Sequence, residues 1–73
     1  MTLLEALEDL KGCTLVHVDK GSGRFVFWTG AMAFLEYRLD ASGNVTQGEA
    51  WSASRRPKDA REAIAEAVAR YGL

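Results

Sequence analysis

The sequence predicts a small α+β domain: a two-layer, four-stranded antiparallel β-meander with one helix before it and one after it (α-β-β-β-β-α). Three observations carry this. A helix-start signature opens the chain, four β-rich segments follow with short turn signals between them, and an Ala-rich stripe of helical period closes it. Seventy-three residues make one domain, spanning 1–73.

Each element has a local reason. Thr2 as N-cap with Glu5 three residues on forms a capping box, and Leu3, Leu4, Leu7 and Leu10 share a stripe, so a helix runs from Thr2 to Lys11 and stops at Gly12. Cys13 to Asp19 is rich in β-branched residues. The segment Lys20-Gly21-Ser22-Gly23 is a turn, and Arg24 to Trp28 is the second strand. Thr29-Gly30 reads as a two-residue turn or as a bulge in one long strand. Ala31 to Leu39 is the third strand. Residues 40–44, Asp-Ala-Ser-Gly-Asn, are the strongest turn signal, and Val45 to Ser52 is the fourth strand. Short connections favour the order 1-2-3-4. Pro57 suits the first turn of a helix whose stripe is Ala60, Ala63, Ile64, Ala67, Val68 and Tyr71, with Gly72 as its stop.

Composition narrows the function classes. Apolar residues make up 48% and charged residues 26%, which is ordinary for a globular domain. A net charge of -1 argues against a dedicated nucleic-acid binder. One cysteine excludes an internal disulfide, and one histidine with one cysteine is too few for a zinc site, so neither metal nor other cofactor is expected. Glu5, Glu8 and Asp9 interrupt any secretion-signal pattern, and no apolar run approaches a membrane span, so the expected location is the cytoplasm. The excess of Arg over Lys and the abundance of Ala point to a GC-rich bacterial genome.

Alternation along the strands places apolar residues on both faces of the sheet. With Val18 opposite Phe25 and Phe27 opposite Met32, one face collects Val16, Val18, Phe25, Phe27, Met32 and Phe34. The other collects Leu15, Val26, Trp28, Ala31, Ala33, Leu35, Tyr37 and Leu39. The small residues suit an Ala-rich helix, so both helices are expected over the Leu35/Tyr37/Leu39 face. The opposite face then has a polar end of exposed Glu36, Arg38, Gln47 and Glu49. Its apolar end is Val16, Val18, Phe25, Phe27, Phe34 and Trp51.

Burying each of those six is worth roughly 1.5–3 kcal/mol, or about 9–18 kcal/mol together, an amount comparable to the whole stability of a domain. A patch of that kind marks an interface, and a homodimer or another protein is the expected partner. The alternative is a helix on each face, which leaves a three-layer monomer without a patch.

Candidate reactive residues each have a simpler reading. His17 is of a residue type that serves as general base, but no nucleophile falls near it; Cys13 lies about 13 Å away along the strand. Cys13 itself follows a helix C-terminus, which does not activate a thiol, and reads as a small core residue. Trp28 and Trp51 fall on opposite faces and cannot make a joint stacking platform. Arg55, Arg56, Lys58 and Arg61 form the densest basic cluster, at a helix start that disfavours cations; they are the candidate site for an anion or nucleic acid, helped by Lys20 and Arg24. The expectation is a non-enzymatic interaction domain that self-associates through its apolar sheet face, with a small nucleic-acid or anion-binding accessory protein as the alternative.

Overall fold

A computed structural model describes residues 2–71. The predicted α-β-β-β-β-α order and antiparallel meander are present, in three layers instead of two: α1 (Leu3–Asp9), β1 (Thr14–Asp19), β2 (Arg24–Trp28), β3 (Ala33–Leu39), β4 (Val45–Ser52) and α2 (Ala60–Tyr71), with one antiparallel sheet in the order β1-β2-β3-β4.

Local chemistry fixes the ends of the elements. The Glu5 amide donates to Thr2 Oγ1 at 3.2 Å and the Thr2 amide donates to Glu5 Oε1 at 3.4 Å, which completes the capping box of α1. In the β3–β4 turn, Asp40 Oδ1 accepts from the amides of Ser42 and Asn44 at 3.0 and 2.9 Å. The start of α2 differs from expectation. Pro57 is buried ahead of the helix, and Asp59 caps it by accepting from the Glu62 amide at 3.0 Å. Gly72, the expected stop, lies outside the described residues.

The register corrects the predicted faces. Val18 does lie opposite Phe25, but Phe27 pairs with Leu35, not Met32. The connection is neither a two-residue turn nor a bulge. It is a four-residue loop, 29–32, closed by the Trp28 indole donating to the Ala31 carbonyl at 2.8 Å and by the Thr29 amide donating to the Ala33 carbonyl at 3.1 Å. Moving the partner of Phe27 by three residues, an odd number, flips β3 relative to β2. In addition, β1 bulges between Leu15 and His17, so Val16 joins the face opposite Val18. A second bulge lies at the same level in β4, opposite Leu35 to Tyr37.

Two cores result, one on each side of the sheet, and the helices lie on opposite faces instead of sharing one. Under α2 are Val16, Val26, Trp28 and Phe34, packed against Ala63 and Ala67, with Trp51 at the margin. Ala is small enough to bring the helix backbone down onto large aromatic rings, so the small-residue helix seeks the face with the bulky partners. Trp28 and Trp51, expected on opposite faces, are in one row with Phe34 between them. Under α1 are Ala6 and Leu10 against Tyr37 and Val45, with Cys13, Phe27, Leu35 and Leu39 around them.

Two glycines separate backbone strain from crowding. Gly23 has φ +69, and a Cβ there would sit 2.3 Å from the Leu39 carbonyl oxygen; Gly43 has φ +87 with open space around it. Gly43→Ala should cost about 1–2 kcal/mol, the left-handed backbone penalty alone. Gly23→Ala should cost on the order of 3 kcal/mol, because the β1–β2 turn must also move off β3. Urea unfolding of the two variants measures the difference; equal losses would show that crowding at Gly23 is irrelevant.

Candidate functional site

The side of the sheet that carries α1 is incompletely closed. The helix has only seven residues, too short to be stable by itself. It is seated by Ala6 and Leu10, while Leu3, Leu4 and Leu7 are half or more exposed, Leu4 at 77%. Between α1 and the strands runs a groove of 260 Å³. It is lined by Leu3, Ala6, Leu7 and Leu10 from the helix and by Leu15, Phe25, Phe27, Tyr37, Arg38, Leu39 and Val45 from the sheet. Five of the seven large apolar side chains exposed among the described residues belong to α1 or to β1: Leu3, Leu4, Leu7, Leu15 and Val18. Tyr37 closes the floor, its phenol pKa raised by burial and then by Asp9 and Cys13.

The six residues expected to form one interface are therefore divided. Val18, Phe25 and Phe27 are on the α1 side, where Val18 is exposed and both Phe rings are half-buried. Val16, Phe34 and Trp51 are on the α2 side. Phe34 is fully buried and stacks on Trp51 at 4.3 Å between ring centroids.

The α2 side holds a polar cluster that the sequence did not announce. Glu36, expected at an exposed polar end, is only 3% exposed. Its Oε1 accepts from Arg38 Nε at 2.7 Å and lies 3.5 Å from Arg24 Nε. Its Oε2 accepts from the Tyr71 hydroxyl at 3.0 Å, which in turn accepts from the Trp51 indole at 3.2 Å. His17 is buried and stacks on Tyr71 at 5.3 Å, and the Arg24 guanidinium lies 4.8 Å from the same ring. Glu49, expected beside Glu36, instead pairs with Arg70 of α2. Burial pushes the Glu36 carboxyl up. The Arg38 and Tyr71 hydrogen bonds and the charges of Arg38 and Arg24 outweigh it and leave the pKa lowered. Burial, with Glu36 beside it, raises the Tyr71 phenol, so it remains a donor at neutral pH. A carboxylate held ionised, with its oxygens already bonded, is a clamp for α2 and is not poised to exchange a proton.

The basic cluster is solvent-exposed. Arg55, Arg56, Lys58 and Arg61 are all exposed. Arg56 donates to the Gly30 carbonyl at 3.2 Å, and the depression beside Arg55 and Arg56 is lined also by Glu62 and Glu66, which offset their charge. Arg24 turns away toward Glu36 and Tyr71, and Lys20 is exposed in the β1–β2 turn. Cys13 is half-buried in the α1 core. Among the described residues no group of three His, Cys, Asp or Glu could hold a metal ion, and no helix is long and apolar enough to cross a membrane.

The Glu36 clamp makes stability depend on pH with a defined sign. Its folded pKa is below the ordinary value of 4.5, so its contribution is complete above that value and is lost as pH falls through the folded pKa. Glu36→Gln should cost on the order of 3 kcal/mol at neutral pH, since it leaves two guanidinium groups against a neutral amide. It should also flatten the fall of the urea midpoint on acidification. A midpoint that falls as steeply in the variant as in wild type would assign the acid sensitivity to other carboxylates.

No family model, curated protein or solved structure matches this chain.

Proposed function

We propose that this chain is a non-enzymatic protein-interaction domain that docks its partner through the open α1 side, over the groove between the helix and β1, β2 and β3. One observation carries the reading: the exposed leucines of α1 flank an apolar groove whose sheet side holds half-buried Phe25 and Phe27 and exposed Leu15, with exposed Val18 on the same side of the sheet. Such side chains are worth roughly 1.5–3 kcal/mol each when fully buried, and a small domain gains by covering them. The α2 side supports the same reading by contrast. Its aromatics are already shielded by the helix, and the polar groups there are engaged with one another. A single thiol suits a reducing compartment such as the cytoplasm.

An apolar dye tests the surface without knowledge of the partner. At submicromolar protein, the native chain should bind anilinonaphthalene sulfonate. Leu7→Glu and Leu15→Glu should weaken that binding about tenfold, while Ile64→Glu, on an exposed position of α2, should leave it unchanged. Dye binding that all three variants leave alike would place the sticky surface elsewhere.

A further inference from the structure

We infer that the partner is a second copy of this chain, related by a two-fold axis, with the leucine ridge of each copy's α1 seated in the trough of the other. The inference rests on the reading of the α1 side as a docking surface and adds the identity and geometry of what docks there.

Self-complementarity is the first argument. A two-fold contact uses the same patch on both copies, so that patch must contain a projection and a recess that fits it. This one does. Leu4 is the most exposed large apolar side chain among the described residues and does not line the groove. Leu7, one turn along α1, is half-exposed at the edge of the groove it helps to line, and the two make a ridge beside it. The recess lies beside it, floored by Phe27 and flanked by Leu15 of β1, with exposed Val18 further along the same side of that strand.

A chain cannot fill its own recess. Ala6 and Leu10 are already buried against Tyr37 and Val45, and Gly12 with φ +86 ties the end of α1 directly to β1. Leu4, the crest of the ridge, therefore lies outside the chain's own trough, and the Leu4 of a second copy is free to enter it.

Size and charge agree. The molecule is a slab with principal extents of 35 × 25 × 17 Å, so a broad face is large enough to supply the ~800 Å² per partner of a standard interface. A net charge of -1 offers little repulsion between copies. A small-molecule occupant is disfavoured, because ligand pockets carry placed polar groups that orient the ligand, and here Arg38, already bonded to Glu36, is the only charged residue of the lining.

Sedimentation equilibrium of the full chain tests the arrangement, with far-UV circular dichroism as the check on folding. Wild type should be a dimer in the micromolar range. Leu4→Glu on the ridge and Leu15→Lys in the trough should each weaken it by at least about tenfold. Val18→Lys replaces Leu15→Lys if the latter loses its native spectrum.

The decisive sample is the mixture of the ridge and trough variants. It contains one wild-type ridge–trough contact and one Glu–Lys contact, so it should associate more tightly than either variant alone. A ridge meeting a ridge would not be rescued in this way. A wild type that stays monomeric into the high micromolar range overturns the inference, as does a mixture no tighter than its parts. If the monomer still binds the dye through Leu7 and Leu15, the docking surface stands and only the second copy is refuted.

Discussion

Glu36 is the residue that the α2 half of the molecule is arranged around. A carboxylate taken from water into a protein interior is tolerated only with opposite charge and hydrogen bonds in place. Three separate elements supply them: Arg24 from β2, Arg38 from β3 and the hydroxyl of Tyr71 from the last turn of α2. Tyr71 is held in turn by Trp51 of β4 and stacks on His17 of β1. Every strand and the second helix thus meet at one charge. Gly48 belongs to the same constraint, since a Cβ there would come within 2.8 Å of Glu36 Oε1. A hydrophobic layer by itself would let α2 slide along the sheet; the buried carboxylate fixes where its end must sit.

The two faces solve the same packing problem with different completeness. Ala63 and Ala67 let α2 approach until neither is exposed, and Val26 and Phe34 beneath them are equally shielded. The first helix is shorter, buries only Ala6 within its span, and leaves its leucines half or more exposed beside an open groove. Its capping box stabilises the first turn without bringing that turn down onto the strands. The asymmetry of helix length and side-chain bulk is what makes one face a finished core and the other a surface that suits a partner.

What was legible in the sequence was local. The Thr2–Glu5 box, the Asp40 turn, the Ala stripe of α2 and two of the four strand starts, Arg24 and Val45, depend on neighbours a few residues away, and they appear where the sequence places them. The Phe27 register was not legible. It depends on the Trp28 indole and the Thr29 amide closing a four-residue loop, and one odd shift there reassigns a whole strand to the other face. The bulge at Val16 and His17 had the same effect on β1.

Of the expected interface, Val18, Phe25 and Phe27 share the open side, while Val16, Phe34 and Trp51 belong to the α2 core. The buried Glu36 was missed because its partners come from as far away as Tyr71. The available hint was a glutamate flanked by apolar neighbours, with a cross-strand Arg pair one step further along.

The paired irregularities in the outer strands have a consequence for growth. A four-stranded open sheet has two borders with unpaired amides and carbonyls, each a template on which a foreign strand can zip. Here both borders break step beside the same central row, at His17 on one side and opposite Glu36 on the other. An incoming chain could match only a few residues before losing alignment. Such irregular borders disfavour lateral extension of the sheet into a fibre.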